Sequence, residues 1–154
     1  MTEIRQLNAP CTQLEQIHAR CFDYGWSAGD FADLLIKPHH RTYVFEADGD
    51  VVSFVVMAVV EGEGEILTIA TDPEYQHKGL ARALLQQVIA ALGKEGAQSL
   101  FLEVATDNVA AIRLYESCGF KKAGRRKAYY SRKGKPPVDA HILRLALNSA
   151  NPYI

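Results

Sequence analysis

The stretch from Ile66 to Leu92 constrains the fold of this chain more than any other part of its sequence. It begins with an apolar segment of strand length, passes through a polar turn from Thr71 to Lys78, and continues as an amphipathic segment that starts near Gly79. A strand followed by a helix with one apolar face requires a sheet that the helix can cover. That face is formed by apolar residues at helical spacing, namely Leu80, Leu84, Leu85, Val88, Ile89 and Leu92.

The junction between this strand and this helix has the properties of an anion-binding site. Gly79 and Ala81 are small where the helix begins, so a ligand can approach the backbone there. The first N–H groups of a helix have no partners within it and lie at the positive end of its dipole, which favours a phosphate. His77, Lys78 and Arg82 add cationic or proton-donating side chains. A tight turn in any α/β domain explains the same residues, so the junction alone leaves both interpretations open.

The size and charge of the chain limit the possible classes of protein. Its 154 residues are enough for one domain with a substantial core, which we predict to span residues 1–154. A formal net charge of −1 argues against a general nucleic-acid binder, so no specific nucleic acid is predicted as a partner. Positive charge is nevertheless concentrated in one segment, from Lys121 to Lys135. A solvated surface, a contact with cofactor phosphates and a contact with RNA all remain possible for this segment.

The cysteines and the hydropathy pattern indicate where the protein acts. Cys11, Cys21 and Cys118 form an odd set without metal-ligand spacing, so we expect reduced thiols in the cytoplasm and no metal. We expect Cys118 to be a core residue. The N-terminus shows no secretory leader, and the longest apolar run, Phe54 to Val60, has only strand length. We therefore expect a soluble, cytoplasmic protein with no membrane partner.

The remaining elements predict an α/β fold with a mixed, largely antiparallel sheet flanked by helices. Thr12 and Glu15 have the spacing of a capping box at the start of a first helix, and Ser27 can cap a second helix. Asp107 or Asn108 is predicted to cap a last helix that ends at Cys118, where Gly119 suits a left-handed cap. The second helix is predicted at Ala28–Ile36, and further strands are predicted at Thr42–Ala47, Val51–Val60, Ser99–Ala105, Lys122–Tyr130 and Val138–Leu147, the last two around a loop from Ser131 to Pro137.

Three polar residues after the central helix form a candidate site. Glu103 interrupts an otherwise apolar strand, although a solvent-facing position on a one-sided sheet also explains it. Asn108 and Tyr115 lie seven residues apart and therefore share one face of their helix. A helix cap and a half-buried aromatic residue are the simpler interpretations of these two. Together they would offer an amide and a phenol to a ligand that lies along that face.

The sequence resembles the GCN5-related N-acetyltransferase (GNAT) superfamily over nearly its whole length. The resemblance rests on two segments in the expected order, IATDPEYQHKGLARALL and LFLEVATDNVAAIRLYESCGF. The second segment, followed by Tyr129-Tyr130 and Asp139-Ala140, is most similar to bacterial ribosomal-protein-alanine N-acetyltransferases, the RimI group. Ala81 stands where close relatives usually have glycine, Ser131 replaces an expected proline, and the loop through Pro136-Pro137 is unusually basic.

This resemblance implies an acyl-CoA N-acyltransferase fold and acetyl-CoA as the co-substrate. It further implies that Glu103 is the general base and that Tyr115 is the general acid. An N-terminal peptide must pass the base, and Tyr129 and Tyr130, which precede the basic loop, are candidates to line its slot, although packing within the closing strand also explains them. The residues that the resemblance assigns to acetyl-CoA binding are Ile69, Ala70, Thr71, His77, Lys78, Gly79, Leu80, Ala81, Arg82 and Asn108.

The resemblance also implies an acceptor, the N-terminal amine of a protein. The RimI group acetylates the N-terminal alanine of a small-subunit ribosomal protein, so such a protein is the expected partner. Two alternatives remain: an acetyltransferase for a small amine or a lysine side chain, and a module that binds acetyl-CoA without turnover. The presence of both Glu103 and Tyr115 favours an enzyme, since a binding module needs neither.

Overall fold

The computed structural model describes residues 2–147, and the ends of the expected domain, residues 1 and 148–154, lie outside the described residues. The described part contains seven strands and four α-helices. In chain order these elements are β1 (Thr2–Gln6), α1 (Thr12–Cys21), α2 (Ala28–Ile36), β2 (His40–Ala47), β3 (Asp50–Val60), β4 (Glu63–Thr71), α3 (Leu80–Lys94), β5 (Ser99–Ala105), α4 (Val109–Ser117), β6 (Lys121–Arg132) and β7 (Lys135–Ala146).

All seven strands belong to one sheet in the order β1-β2-β3-β4-β5-β7-β6. Every neighbouring pair is antiparallel except β4 and β5, which are parallel and are connected through α3. A parallel pair needs such a crossover, whereas antiparallel strands can be joined by short turns. The prediction of a mixed, largely antiparallel sheet flanked by helices is therefore confirmed.

The helices cover the two faces of the sheet with separate cores. Helices α3 and α4 pack on one face, where Leu84, Leu92 and Leu143 are fully buried. Helices α1 and α2 pack on the opposite face around Phe54 and Phe31. Strand β3 lies between both layers, which explains why its apolar run is nearly continuous rather than alternating.

The ends of the helices agree with most of the predicted caps. Ser27 and Asp30 form a reciprocal capping box at the start of α2. Asn108 caps α4, and Gly119 follows that helix with a φ of 99°. The capping box predicted from Thr12 and Glu15 is wrong, because α1 begins at Thr12 itself and has no side-chain cap. Burial of the helix face sets the position of α1, since Leu14 and Ile17 must both reach the core.

The two edges of the sheet differ most from the predictions. Strand β1 was not predicted, because a five-residue segment with a single isoleucine has no clear alternation. The predicted loop from Ser131 to Pro137 is mostly strand, and the chain turns sharply at Gly134, where φ is 66°. Pro136 and Pro137 are tolerated in β7 because its pairing with β5 begins only at Ala140.

The feature of the sheet that creates a site is the separation of β4 from β5. The two strands pair over four positions, from Glu63 with Ser99 to Ile66 with Leu102. Strand β4 then continues to Thr71 and β5 to Ala105 without further pairing between them. A bulge on β4 lies at the point of divergence, because Met57 of β3 faces Ile66 and Val56 faces Thr68, which leaves Leu67 without a partner.

None of the four helices within residues 2–147 combines the length and the apolarity that a membrane crossing requires.

Candidate active site

The gap between β4 and β5 opens into two adjoining cavities. The first, which we call the α3 cavity, has a volume of about 610 Å³ and lies at the start of α3. The second, the β5 cavity, has a volume of about 420 Å³ and lies along the unpaired end of β5. Both are lined by Cys21, Phe22, Ile69, Asn108 and Tyr115, so they form one continuous trough across the opening.

The start of α3 lies in the wall of the α3 cavity with its backbone donors free of a side-chain cap. Gly79 is the N-cap residue in a left-handed conformation, with φ 83°, and its carbonyl accepts the Ala83 N–H at 3.1 Å. The N–H groups of the first three helical residues, Leu80 to Arg82, therefore have no acceptor one turn back in the helix. His77 also has a positive φ of 62°, which turns the chain sharply ahead of the helix. This arrangement suits a phosphate group.

Most of the predicted cofactor residues lie together around the α3 cavity. Those in its wall are Ile69, Ala70, Thr71, His77, Gly79, Leu80, Ala81, Arg82 and Asn108. Lys78 is outside the cavity wall of the described structure, and its ammonium lies 5.2 Å from the centre of the Tyr75 ring. The Arg82 guanidinium donates to Ser117 Oγ at 2.7 Å, so this side chain ties α3 to the end of α4.

Glu103 is held in a network on the sheet face opposite α3 and α4. Leu102 and Val104 enter the α3/α4 core, and alternation along the strand directs Glu103 to the other face. Its carboxylate is 2.6 Å from Arg126 Nε and is only 11% exposed. A hydrogen bond with this carboxylate raises the pKa of Tyr129. Burial and the charge of Glu103 also raise the pKa of the neighbouring Glu65.

Tyr115 reaches the same opening from the α4 side. It is 6% exposed, packs edge-on to Phe120 at 5.9 Å between ring centres, and lines both cavities. Burial strongly raises the pKa of its phenol, so the hydroxyl keeps its proton at neutral pH. The opening thus brings together a carboxylate from one face of the sheet and a phenol from the other.

The two predicted acceptor tyrosines occupy different positions. Tyr130 lines the β5 cavity, and its hydroxyl donates to the Glu103 carbonyl at 3.1 Å. Burial raises the pKa of Tyr130 to about 12. Tyr129 is 49% exposed and lies outside that cavity wall, next to Arg126.

A distortion of β6 places these tyrosines. The pairing of β6 with β7 shifts between Arg126 and Tyr130, and Ala128 within this bulge has a φ of 52°. Asp139 stabilises the bulge, because its carboxylate accepts the Ala128 N–H at 2.8 Å and binds Arg125 at 2.7 Å. The Asp139-Ala140 motif of the sequence therefore has a structural role in shaping the wall near Glu103.

The predictions from sequence missed the loop between α1 and α2, residues 22–26. Phe22, Tyr24 and Trp26 of this loop line the β5 cavity, together with the buried His18 of α1. The sequence carried no clear signal for them, because loop residues have no periodicity. The isolated polar residue His18 at the end of an apolar stripe was the one available indication.

The basic segment lies on the β6–β7 hairpin, and Arg132 is its one cationic residue in a wall of either cavity among the described residues. Three of its arginines are already paired with acids, Arg125 with Asp139, Arg126 with Glu103 and Arg132 with Asp107. The start of α3 is lined by other residues, so a role of this segment around phosphates bound there has no support. Lysines on an exposed edge strand also discourage pairing with other chains.

Within residues 2–147 no group of three or more His, Cys, Asp and Glu side chains is placed to hold a metal. The three cysteines are free, and Cys118 is fully buried in the core, as expected.

Comparison with protein families identifies the class of protein. Residues 11–120 match the model of the acetyltransferase (GNAT) family, and the chain belongs to that family. It is therefore an N-acetyltransferase.

Individual relatives narrow this class. The "[Ribosomal protein bS18]-alanine N-acetyltransferase" of Escherichia coli (strain K12) is 40% identical over 114 residues, which cover 74% of this chain and 76% of that protein. The crystal structure of the ribosomal-protein-S18-alanine N-acetyltransferase from Escherichia coli matches with a TM-score of 0.89 at 35% identity, covering 100% of this chain and 99% of that chain. This match confirms the predicted acyltransferase fold.

A more distant match shows the same fold with a ligand. The structure of Arabidopsis thaliana NAA60 in complex with acetyl-CoA has a TM-score of 0.85 at 21% identity, covering 97% of this chain and 100% of that chain.

The buried His18 gives a testable pH dependence of stability. Burial lowers its pKa from 6.5 to about 4, so the neutral form is favoured by folding. The stability that this provides is fully present above pH 6.5 and is lost as the pH falls towards 4. We expect the free energy of unfolding, from urea titrations, to fall more steeply over this range in the wild type than in His18→Gln.

His39→Gln, at an exposed position, is the control and should keep the wild-type slope. Equal slopes for the wild type and His18→Gln would contradict the prediction.

Proposed function

We propose that this protein transfers an acetyl group from acetyl-CoA directly to the α-amine of an N-terminal alanine, on a small-subunit ribosomal protein. The chain would act as one acetyltransferase domain spanning residues 1–154. The observation that carries the proposal is the trough through the opened sheet, with Glu103 on one face and Tyr115 on the other. The acceptor is taken from the 40% identical relative, whose name states this alanine substrate.

The cofactor is proposed to lie along the two cavities. Its diphosphate would bind the free N–H groups at the start of α3, beside Gly79. Its pantetheine arm would pair with the open edge of β4 at Ile69 and Ala70, as an added strand does. The Thr71 carbonyl already accepts from Gln76 at 3.1 Å, so this group is less available. Asn108, which lines both cavities, would contact the arm near the thioester.

The acceptor amine needs only a modest base. An α-amine has a pKa of about 7.7–8.0, and roughly a third of it is neutral near pH 7.5, whereas about one lysine in a thousand is neutral. At about 1.36 kcal/mol per pH unit, deprotonation costs the lysine roughly 4 kcal/mol and the α-amine well under 1 kcal/mol. One carboxylate, directly or through a water molecule, is therefore sufficient, and we assign this role to Glu103.

The reaction balances with two proton transfers. The neutral amine attacks the thioester carbonyl, and Glu103 accepts the proton that the nitrogen loses. As the C–S bond breaks, the Tyr115 hydroxyl donates to the leaving sulfur, which becomes the CoA thiol. The elevated pKa of this phenol keeps it protonated and available as a donor.

The peptide is proposed to enter through the β5 cavity. Tyr130 and Trp26 would flank its first residues there. Tyr129 would act at the rim, since it lies beside Arg126 at the exposed edge. The incoming ammonium would take the place of Arg126 against the Glu103 carboxylate.

Gly79, at the start of α3, and Gly49, in the turn between β2 and β3, give a matched pair of glycine variants. Gly79 and Gly49 have φ angles of 83° and 86°, and an added Cβ would meet no atom within 4 Å at either position. Alanine at each site should therefore cost similar stability, about 1–2 kcal/mol from the left-handed backbone. Only Gly79→Ala should weaken acetyl-CoA binding, measured by isothermal titration. Equal affinities of the two variants would place the diphosphate elsewhere.

For Glu103→Gln we expect turnover to fall by roughly 10²-fold or more, with little change in acetyl-CoA affinity, because the amide cannot accept the proton. The loss should be greatest at low pH, where the amine arrives protonated. The measurement is kcat for an Ala-initiated peptide as a function of pH. An unchanged pH–rate profile would reject the role as base.

For Tyr115→Phe we expect transfer to slow by about 10²-fold, the usual order for a lost general acid. Tyr43→Phe is the control, since Tyr43 is 8% exposed in the same core but lines neither cavity. The measurement is the rate of thiol release under saturating acetyl-CoA. Normal release by Tyr115→Phe would show that another group is the donor.

The experiment that tests the proposed function compares acceptors in one thiol-release assay. We expect release with an Ala-initiated ribosomal peptide and none with the same peptide blocked at its N-terminus. Release only with lysine peptides or polyamines would favour the alternative acceptors. Binding of acetyl-CoA without release from any of them would favour a binding module.

A further inference from the structure

His18 is a buried polar residue that the proposed chemistry does not use. It lies in the last turn of α1, is 2% exposed, and contributes to the wall of the β5 cavity. Its ring stacks against Phe22 at 4.2 Å and against Trp26 at 4.9 Å between ring centres. These two aromatic residues belong to the α1–α2 loop, residues 22–26, and also line that cavity.

Both nitrogens of the His18 ring are committed to hydrogen bonds. Nδ1 accepts the Trp26 backbone N–H at 3.0 Å, so this nitrogen carries no proton. Nε2 therefore carries the proton, and this N–H donates a hydrogen bond to Thr68 Oγ1 at 3.2 Å. A neutral ring with both nitrogens occupied is poorly placed to exchange protons with a substrate, which argues against a role as acid or base.

The two partners of His18 lie on the two walls of the trough. Thr68 is the first residue of β4 after the bulge at Leu67, where β4 separates from β5. Trp26 closes the α1–α2 loop just before the Ser27 cap of α2. The ring thus joins the point at which the sheet opens to the loop that covers the opening.

The far side of the loop touches the β6–β7 hairpin. Asp23 accepts the Lys133 N–H at 3.2 Å, and the Lys133 ammonium lies 5.7 Å from the centre of the Tyr24 ring. Both contacts are exposed and therefore weak. The His18 hydrogen bonds, of which that to Thr68 is buried and that to Trp26 is part-buried, are the stronger constraint on the loop, because a shielded donor left without an acceptor is costly.

We infer that His18 is a positioning residue for the acceptor. By holding the Trp26 backbone at a fixed distance from β4, it sets the width of the β5 cavity at the place where the first residues of the acceptor enter. This inference rests on the proposed function for the identity of the acceptor, but the clamp itself is a property of the free protein.

Two variants separate the two hydrogen bonds. In His18→Asn the side-chain oxygen can replace Nδ1 as the acceptor for Trp26, whereas in His18→Gln the side-chain amide can replace Nε2–H as the donor to Thr68. Both lose the ring stacking equally. Thr68→Val keeps His18 in place and removes only the β4 end of the clamp.

The direct readout is hydrogen exchange of the Trp26 amide in the full chain without substrate. We expect the Trp26 amide to exchange about tenfold faster in His18→Gln than in His18→Asn, in line with the loss of one part-buried hydrogen bond. Trp26 is also the one tryptophan of the chain, so its fluorescence reports the same loop without a label. Its emission should shift to the red in His18→Gln relative to His18→Asn.

The kinetic readout is the split between KM and kcat. We expect His18→Gln to raise the KM for the acceptor peptide about tenfold relative to His18→Asn, with the KM for acetyl-CoA and kcat within about twofold. Thr68→Val should raise the peptide KM in the same direction. A loss confined to kcat would overturn the positioning role, and so would equal peptide KM values for the two His18 variants.

The proposed acceptor and the His18 clamp are tested by different measurements. If the wild type acetylates no Ala-initiated peptide, the proposed function fails while the exchange measurements still test the clamp. If Trp26 exchanges equally fast in His18→Asn and His18→Gln, the clamp is wrong whatever the acceptor is. Should either variant fail to fold, the comparison of Thr68→Val with the wild type by the same exchange measurement decides, since unchanged Trp26 exchange there would overturn the link to β4.

Discussion

The site of this protein depends on a sheet that is paired at one end and open at the other. At the paired end, Gly64 allows close packing, since a Cβ there would lie 2.7 Å from Leu92 Cδ1 and 3.1 Å from Leu100 Cδ1. At the open end, Tyr115 approaches from one face and the His18–Thr68 pair from the other. An unpaired strand edge inside a protein leaves backbone groups that need partners. The open edge of β4 is therefore both a structural cost and a means of binding an extended ligand.

The charges at the opening are compatible with an ion pair, between Glu103 and Arg126, that can be exchanged for a contact with an acceptor. Glu103 is mostly shielded, but its partner Arg126 has a side chain that is 55% exposed. Because the exposed guanidinium can return to water, its proposed replacement by an incoming ammonium would cost less than breaking a fully buried ion pair. Burial and the charge of Glu103 raise the pKa of the neighbouring Glu65, so this carboxyl group already lies in the negative potential of Glu103. This part of the site thus suits a cationic acceptor.

The sequence predicted much of the fold because its strongest signals are local. Strand and helix periodicity located the central unit, and cap residues such as Ser27, Asn108 and Gly119 marked helix ends that the structure confirms. The capping box at Thr12 failed because burial of α1 overrides a local cap. The closing strands are longer than predicted, since prolines usually interrupt a strand but are accepted here where β7 pairs with β6 alone and has no partner on its β5 side. The catalytic roles of Glu103 and Tyr115 stay predictions.

By itself, the sequence determined the order of the elements after β1, a start of α3 that suits an anion, and the presence of a carboxylate, an amide and a phenol after it, because short stretches of the chain carry each of these signals. Only the tertiary structure decided that β4 and β5 separate after Ile66, that Arg126 faces Glu103, and that the His18 ring joins β4 to the loop over the opening. The physical reason is distance along the chain: His18 and Thr68 are 50 residues apart, and no local pattern records a contact that exists only when the sheet has formed.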